Sequence, residues 1–388
     1  MAIQQSASWE SEQLFLDGDS YFDALRNAVE RSKTSIDIES YILENDPLSE
    51  SVITCLIAAQ NRQVHVRILI DGLGGGSWAL ENEPRLKNIG IELRVYHPLP
   101  WLMFPSLLRN VLAVQNFLRF ALRMNRRNHR KTCVVDGKCM FLGSMNLSVF
   151  HSKRLHGESA WRDTGVCVLG PGVVAVQNAF ELTWKKSWRI GLSIRAPSLP
   201  WRKQSLLTSH PLVRLNNTMV LRWKMYNQLL KRIRTAKNTV WLTNAYFVPH
   251  GTLLRALEQA AKNGADVRLL LPQKSDVVFL PWVSAAFFQA LVKNGVRVFE
   301  YLPGMIHAKT MVIDSWCAVG SSNFNSRSLR HDLEIDVVLT SADSRKSLVC
   351  AFENDLSTSE EVTVTSFSRR PVWQRILGRL ALMVKYWL

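Results

Sequence analysis

A histidine and a lysine two residues apart mark the segment most able to do chemistry. His307 and Lys309 lie in MIHAKTMVID, where an extended strand would point both side chains to the same face. A carboxylate follows at Asp314, then a GSSN turn at residues 320–323, then a second carboxylate at Glu334. An imidazole, an ammonium group, an amide and a carboxylate suit an anionic phosphate better than they suit a hydrophobic core.

The same arrangement occurs earlier in the chain. The stretch HRKTCVVDGKCMFLGSMNLS begins at His129 and is followed by an acid at Asp163. The corresponding residues are His129 and His307, Lys131 and Lys309, Asp136 and Asp314, Ser144 and Ser321, Asn146 and Asn323, and Asp163 and Glu334. One such histidine is more often structural, but two matching sets indicate a duplicated chain in which both halves carry functional residues.

These residue types suit phosphodiester chemistry. A phosphodiester repels nucleophiles, so an enzyme without a metal must supply cations, a nucleophile and a proton donor. One histidine can attack phosphorus and become phosphohistidine, while the other protonates the leaving oxygen and later deprotonates the incoming hydroxyl. The residues expected to bind the phosphate oxygens are Lys131, Lys309, Asn146, Asn323, Ser144 and Ser321. We expect Asp163 and Glu334 to accept the far N–H of each ring, which fixes the tautomer.

Asp136 and Asp314 complete the two motifs and are kept among the candidate catalytic residues. Each ends an apolar strand beside a turn, in VVDGK and VIDSW. A carboxylate at such a place readily accepts hydrogen bonds from turn amides, which favours a structural role for both.

Composition restricts the class of partner. The 388-residue chain is long enough for two domains, and its formal net charge of +16 indicates an anionic partner, either nucleic acid or an acidic membrane surface. The six cysteines form no C-x-x-C pair and have no histidine at zinc-site spacing, so we expect no metal site and no disulfide framework. We also expect no cofactor. The N-terminus lacks the features of a signal peptide, and no stretch reaches the length of a spanning helix. These features predict a cytoplasmic chain that meets a membrane from one side.

Helices and short apolar strands alternate in the same order in both halves. The pattern predicts a helix at 21–33, strands at 35–41 and 64–71, and a helix at 48–61 between them. In the second half it predicts a helix to about 236, strands at 239–247 and 265–272, and a helix at 251–263. ESY and NAY place Tyr41 and Tyr246 at equivalent points. This order indicates an α/β sheet in each half, with domains at 1–198 and 199–388 separated near the proline-rich stretch 195–211.

The glycine-rich loop DGLGGGS, residues 71–77, superficially resembles a phosphate cradle. It lacks the G-K-[ST] ending of a P-loop and the G-x-G-x-x-G spacing of a dinucleotide site. We interpret it as a strand-to-helix loop that borders the substrate cleft.

Two basic apolar stretches are unlike the rest of the chain. Residues 101–124 are strongly apolar but contain several arginines, and the C-terminal RRPVWQRILGRLALMVKYWL separates an apolar helical face from basic positions. The apolar positions of the C-terminal stretch are Trp373, Ile376, Leu377, Leu380, Val384 and Trp387. A basic amphipathic helix with tryptophans favours a bilayer interface, and packing on the domain core is the alternative.

The paired H-x-K-x₄-D motifs resemble those of the phospholipase D superfamily. The resemblance to bacterial cardiolipin synthases, in particular the shorter type without N-terminal transmembrane helices, covers nearly the whole chain. It lies in LIDGLGG, NAYFVPHGTLLRAL, VFEYLPGMIHAK and GSSNFNSRSL. It implies two α-β-α sandwich domains related by a pseudo-twofold axis, with one shared active site. It also implies that His129 is the nucleophile and His307 the acid and base, an order that the motifs themselves leave open.

The resemblance implies transfer of a phosphatidyl group to the headgroup alcohol of phosphatidylglycerol, which gives cardiolipin. The expected partners are phosphatidylglycerol, phosphatidylethanolamine as a second donor, the cardiolipin product, and an anionic membrane on whose cytoplasmic side the protein is peripheral. A hydrolytic phospholipase D has the same catalytic residues. A nuclease of the superfamily fits the charge, but the tryptophans and apolar basic stretches favour lipid. A noncatalytic membrane-binding scaffold is the alternative from another class.

Overall fold

The computed structural model describes residues 7–99, 126–189, 210–363 and 371–381. The strands of the first half are β1 (Ser11–Phe15), β2 (Ser35–Ser40), β3 (His65–Asp71), β4 (Glu92–Tyr96), β5 (Thr132–Val135), β6 (Cys139–Gly143), β7 (Gly165–Leu169) and β8 (Trp188–Arg189). Its helices are α1 (Gly18–Arg31), α2 (Pro47–Asn61), α3 (Gly76–Ile89), α4 (Lys153–His156) and α5 (Val173–Lys186), and it has 3-10 turns at Val149–His151 and Gly157–Ser159.

The second half follows the same plan. Its strands are β9 (Val213–Leu215), β10 (Thr239–Thr243), β11 (Asp266–Pro272), β12 (Arg297–Tyr301), β13 (Thr310–Ile313), β14 (Trp316–Gly320), β15 (Ile335–Leu339) and β16 (Ser359–Glu361). Its helices are α6 (Met219–Thr235), α7 (Gly251–Lys262), α8 (Leu280–Ala285), α9 (Phe288–Lys293), α10 (Ser326–Arg330), α11 (Ala342–Ser357) and α12 (Val372–Ala381).

Local sequence signals account for the first helices. The Asp17 and Asp46 side chains cap α1 and α2 by accepting hydrogen bonds from Ser20 N and Ser49 N, each at 2.8 Å. The apolar side chains of α1 recur every three to four residues, so one face packs against the sheet. Each large apolar side chain buried in this way stabilises the fold by about 1.5–3 kcal/mol.

The two sheets have the same strand order. The first runs β1-β7-β6-β5-β2-β3-β4-β8, and the second runs β9-β15-β14-β13-β10-β11-β12-β16. In both sheets, three neighbouring strands are parallel: β2, β3 and β4 in the first sheet, and β10, β11 and β12 in the second. The other strand pairs are antiparallel. Each strand of the first half thus has its counterpart eight strands later, as the duplicated motifs predicted. The predicted α/β class, with a sheet of the same topology in each half of the chain, is confirmed.

One predicted strand is shorter than expected. The strand predicted at 239–247 ends at Thr243. The next residue, Asn244, leaves the strand because its side chain donates to Ser322 O at 3.2 Å and accepts from Phe324 N at 3.0 Å. This amide ties the end of β10 to the GSSN turn and so helps to position the second motif.

A hydrophobic core joins the two halves. Side chains of β5, β6 and β7 pack with side chains of β13, β14 and β15 in one buried cluster, together with apolar residues of α5 and α11. Trp9, from the start of the chain, belongs to this cluster and donates its indole N–H to Val338 O at 2.9 Å. The sheets are therefore held face to face by a continuous apolar interface.

Several sequence-based predictions concern residues outside the described ranges. The apolar stretch 101–124 and the boundary between 198 and 199 lie there, as do Val384 and Trp387 of the C-terminal stretch. Within the described part of the chain, no helix has the length and apolar character needed to cross a membrane.

Candidate active site

Each histidine segment forms a backbone bridge with the opposite half of the molecule. His129 N donates to Leu333 O at 3.0 Å, and Leu333 N donates to Arg127 O at 2.8 Å. In the counterpart bridge, His307 N donates to Arg162 O at 2.8 Å. The Arg162 N–H in turn donates to a backbone carbonyl of the second half of the chain. Leu333 and Arg162 directly precede the two candidate acids, so the bridges carry each acid to the histidine of the other motif.

The histidine–acid pairs are therefore crossed between the halves. Nδ1 of His129 lies 3.0 Å from Oε2 of Glu334, and Nδ1 of His307 lies 3.0 Å from Oδ1 of Asp163. The sequence grouped Asp163 with the first motif and Glu334 with the second, and it gave no sign of this exchange. A hydrogen bond from Nδ1 to a carboxylate leaves Nε2 of each ring as the nitrogen available to a substrate.

The motif lysines occupy equivalent buried positions. Lys131 Nζ donates to His129 O at 2.7 Å, and Lys309 Nζ donates to His307 O at 2.5 Å. Each ammonium group has three donors, so the bond to a histidine carbonyl leaves two for the oxygens of a phosphate. The ring centroid of Tyr41 lies 5.1 Å from Nζ of Lys131. The ring centroid of Tyr246 lies 5.8 Å from Nζ of Lys309. The two tyrosines that the sequence matched thus flank the two lysines.

Burial dominates the electrostatics of the site. It lowers the pKa of Lys131 to about 7 although nearby carboxylates oppose the shift, and it raises the pKa of Glu334 to about 7. Burial, followed by the charges of both motif lysines, lowers the pKa of His129 well below its usual value. Because Lys309 contributes to that shift, the cations of both motifs act on one site. A phosphate anion placed there would stabilise the charged lysines.

The amides and serines of the GSMN and GSSN turns surround the pairs. Oδ1 of Asn146 accepts from Ile42 N at 3.2 Å, so its NH₂ group remains available as a donor. Asn323 is buried in the equivalent turn. The hydroxyl of Ser144 donates to Thr164 O at 3.1 Å, and that of Ser321 donates to Glu334 at 2.5 Å. Both serine protons are therefore used within the protein, and substrate binding by the serines stays a prediction.

The motif aspartates lie at the far end of the strands from the histidines. The Asp136 carboxylate accepts hydrogen bonds from the backbone N–H groups of residues 33–35, and the Asp314 carboxylate accepts from those of residues 237–239. Both aspartates have positive φ, 53° and 50°, which aspartate tolerates better than most residues. These contacts favour the structural role over the catalytic one, because each carboxylate anchors the start of β2 or β10.

The glycine-rich loop after β3 supports the first histidine segment. Asp71 is fully buried, and its Oδ2 accepts from Asn128 N at 2.8 Å, next to His129. Gly74 approaches the backbone so closely that a Cβ atom there would lie 2.3 Å from Tyr41 O. The loop thus positions Tyr41 and the histidine segment.

Two residues near His307, and one beside the acid that pairs with His129, were not singled out from the sequence. His151 donates toward Asp163 at 2.6 Å, and the Trp161 ring lies 5.2 Å from the His307 ring between centroids. Ser328 donates to Oε1 of Glu334 at 2.6 Å. His151 and Ser328 are at equivalent positions, each five residues after the motif asparagine, Asn146 or Asn323. The residue type differs between the two positions, so the repeat did not mark them.

In the part of the chain that the structure describes, one group of side chains has the donor types and spacing of a metal site. The ligating atoms of His151, Asp163 and His307 lie within 4.8 Å of one another. The two rings hydrogen-bond to opposite oxygens of the carboxylate, and Nε2 of His151 accepts from Asn146 N at 3.1 Å. The ring nitrogens facing Asp163 therefore carry hydrogens, so the group is a hydrogen-bonded acid with two imidazoles.

Comparison with known proteins identifies the family. A family model described as a phospholipase D-like domain of cardiolipin synthase matches residues 25–163 and 229–356. The chain belongs to this family. Both matched regions include a histidine motif, and the first ends at Asp163.

Two curated relatives agree with the family assignment. Cardiolipin synthase A of Pectobacterium carotovorum is 30% identical over 375 residues, which cover 95% of this chain and 74% of the relative. The major cardiolipin synthase of Bacillus subtilis is 30% identical over 373 residues, covering 94% and 73% respectively. The similarity therefore spans nearly the whole chain and includes both halves of the site.

Solved structures with low sequence identity share the fold. Phosphatidylserine synthase of Haemophilus influenzae superposes with a TM-score of 0.72 at 11% identity, covering 98% of this chain and 96% of that one. Polyphosphate kinase of Porphyromonas gingivalis gives a TM-score of 0.58 at 13% identity, covering 89% of this chain and 50% of the kinase. At these identities the likeness concerns the fold alone.

The low pKa of Lys131 predicts a pH dependence. Because the free protein loses this charge as pH rises through about 7, we expect kcat/KM to fall above that pH. A bound phosphodiester raises the pKa of Lys131, so kcat should fall only at higher pH. Steady-state turnover of phospholipid in mixed micelles measures both profiles. A kcat/KM that stays constant from about pH 6 to about pH 9 would contradict this role of Lys131.

Proposed function

We propose that this chain synthesises cardiolipin by moving a phosphatidyl group from one phospholipid to a headgroup hydroxyl of phosphatidylglycerol. The observation that carries the proposal is the single buried site in which His129 and His307 are both held by acids of the opposite half. The family and the named relatives support the lipid substrate class. Two imidazoles with oriented tautomers, together with two lysines, match the needs of phosphoryl transfer without a metal.

In the first step, Nε2 of His129 attacks the phosphorus of the donor lipid. The bond from phosphorus to the headgroup oxygen breaks, and Nε2–H of His307 gives its proton to that oxygen, so the headgroup leaves as a neutral alcohol. The motif lysines and the Asn146 amide stabilise the charge on the nonbridging oxygens. The products of this step are phosphatidyl-His129 and a neutral His307 ring.

In the second step, a hydroxyl of phosphatidylglycerol enters the place that the headgroup left. His307 removes its proton while the oxygen attacks phosphorus, and the bond to Nε2 of His129 breaks. The product is cardiolipin, and both rings return to their starting states. His129 therefore remains the nucleophile and His307 the acid and base, as the family resemblance implies.

Burial of the site favours an alcohol over water as acceptor. His129 and His307 are 7% and 2% exposed, and Lys131 and Lys309 are 3% and 1% exposed. An enclosed site limits the access of bulk water to the phosphoenzyme, which lengthens its life until a second lipid arrives. Hydrolysis uses the same residues, so product analysis separates the two reactions.

The purified protein should convert phosphatidylglycerol to cardiolipin and glycerol, with phosphatidic acid as a minor product. Mass spectrometry of the lipids, with and without phosphatidylethanolamine, identifies the products and the donor. The His307→Ala variant should accumulate phosphatidyl-His129 from a donor with a nitrophenolate leaving group, because that group needs no proton. The His129→Ala variant should form no covalent intermediate.

Phosphatidic acid as the main product would show a hydrolytic phospholipase D. Turnover of DNA, with none of lipid, would show a nuclease. A covalent adduct on His307 in the His129→Ala variant, with none on His129 in the His307→Ala variant, would reverse the assigned roles.

An exposed apolar surface supports contact with a membrane. Helix α12 packs against α8, where Trp373 and Trp282 form a T-shaped pair with ring centroids 5.1 Å apart. Gly378 permits this contact, because a Cβ atom there would lie 2.2 Å from Trp282 O. The exposed apolar residues of α12 and the loop before α8, here called the α8–α12 face, are Val278, Phe279, Val372, Trp373, Ile376, Leu377 and Leu380. Within the described range, the C-terminal stretch both packs on the domain and keeps an apolar surface.

The α8–α12 face is connected to the site. The loop before α8 begins at Asp276, which accepts a hydrogen bond from the Tyr246 hydroxyl at 2.7 Å. Tyr246 packs on the cluster formed by α8, and its ring lies 6.1 Å from the His307 ring. A lipid bilayer on this face would therefore lie beside the wall of the site. We place the protein peripherally on the cytoplasmic side of a bacterial membrane.

Replacing apolar residues of the α8–α12 face should weaken membrane binding. Ile376 and Leu380 are each 53% exposed, so Ile376→Ser and Leu380→Ser should leave the fold intact and reduce binding by about tenfold for each residue. Deletion of residues 372–388 should release the protein from anionic vesicles. Sedimentation with phosphatidylglycerol vesicles at low and high salt measures both effects.

Val220→Ser is a matched control, because Val220 is 73% exposed on α6, a different helix. It should bind vesicles as the unmodified protein does. Unchanged sedimentation of the α12 variants and of the deletion would contradict membrane docking through this face.

A further inference from the structure

His151 forms the second hydrogen bond to the acid that serves His307. Its Nδ1 lies 2.6 Å from Oδ2 of Asp163, while Nδ1 of His307 lies 3.0 Å from Oδ1 of the same carboxylate. His151 is 2% exposed and Asp163 is fully buried. The two rings therefore lie side by side on the two oxygens of Asp163, with their centroids 5.7 Å apart.

The backbone fixes the tautomer of His151. Asn146 N donates its hydrogen to Nε2 of His151 at 3.1 Å. A backbone amide donates and does not accept, so Nε2 must be unprotonated in this arrangement. The ring hydrogen is consequently on Nδ1 and points to Asp163, which makes His151 a neutral donor of fixed orientation.

The two acids of the site have different surroundings. Apart from His129, Glu334 accepts from the hydroxyls of Ser321 and Ser328. Burial outweighs these bonds and raises the pKa of Glu334 to about 7. Burial also acts to raise the pKa of Asp163, but its interactions with the two imidazoles, His151 and His307, outweigh burial and hold that pKa well below the usual value. The two acids thus differ. Asp163, which has an imidazole where Glu334 has a second hydroxyl, stays ionised, whereas Glu334 protonates readily.

We propose that His151 is a positioning residue for phosphoryl transfer, whose Nδ1–H holds Asp163 as an oriented anion behind His307. An anion hydrogen-bonded to Nδ1 stabilises the imidazolium form of His307, the form that protonates the leaving alcohol. Burial and the charge of Lys309 lower the pKa of His307 to about 3, and Asp163 opposes that shift. An ionised Asp163 therefore favours His307 as the proton carrier and leaves His129, beside the more easily neutralised acid, as the nucleophile. This inference rests on the proposed phosphatidyl transfer.

Other charged groups near the pair are unchanged by substitution of His151. Lys309, two residues from His307, and Lys131 of the first motif face the pair, and the Tyr246 hydroxyl lies toward the same side, bonded to Asp276. Arg162, next to Asp163, directs its guanidinium to Asp355, with Nη2 3.0 Å from Oδ2. A change in pH profile on replacing His151 therefore reports the bond to Asp163.

Two substitutions separate the hydrogen bond from the space that the ring fills. His151→Phe keeps a ring against Trp161 and removes the donor. His151→Asn places an amide N–H near the position of Nδ1 and keeps a neutral donor. His156→Phe is the matched control, because His156 belongs to the same segment and its ring contacts Phe150.

We expect His151→Phe to lower kcat by about tenfold or more with little change in KM, since one bond to a buried charge is lost. The acidic limb of its kcat profile should move upward by about one pH unit, because Asp163 protonates more readily without the donor. His151→Asn should restore most of kcat and the original limb, and His156→Phe should match the unmodified protein. Thermal unfolding of every variant checks the fold.

A folded His151→Phe variant with the original kcat and pH profile would overturn the proposal. Equal impairment of the Phe and Asn variants without a shifted limb would also overturn it. So would loss of wild-type activity in EDTA that added zinc restores, since the rings would then be metal ligands.

One readout does not depend on turnover. In the resting protein, ¹⁵N NMR of labelled histidines should show one ring, lost in His151→Phe, with its hydrogen on Nδ1 and none on Nε2. A hydrogen on Nε2 of that ring would overturn the proposal. Failure of the unmodified protein to form cardiolipin, with this signal present, would instead count against the proposed function.

Discussion

The site depends on one constraint: each motif histidine finds its carboxylate in the other half of the chain. Two backbone bridges, between residues 128 and 333 and between residues 162 and 306, set these crossed pairs. Removing a partner from a buried charge costs about 3–5 kcal/mol, so neither half can hold its acid, lysine and histidine in place alone. The apolar interface between the sheets and the chemistry of the site are therefore formed together.

Burial gives this arrangement its reactivity. In a site of low polarity, Lys131 and Glu334 both have pKa values near 7, close to the range in which proton transfer is effective. A bound phosphodiester places a negative charge beside the buried lysines, so substrate binding offsets their positive charges. The same enclosure restricts water, which is why an alcohol at the end of a lipid headgroup is the acceptor that the geometry favours.

The sequence predicted what is encoded locally or repeated. The order of helices and strands follows from periodicity, the duplication follows from the two motifs, and the amide contacts of Asp136 follow from its place after a strand. It did not predict the crossed pairs, because docking of the two halves, rather than any local pattern, decides which acid meets which histidine. His151 was missed for a related reason: its equivalent in the second half is a serine, Ser328, and its partner Asp163 comes close only through the fold.

The central claim is that both motifs form one site, and a comparison of three variants tests it most directly. Cardiolipin formation by His129→Ala, His307→Ala and the double variant should be measured under identical conditions, with folding checked by circular dichroism. One shared site predicts that each single variant is about as inactive as the double variant, because the two rings act as a unit. Retention of about half of the activity by either single variant, with additive loss in the double variant, would contradict it.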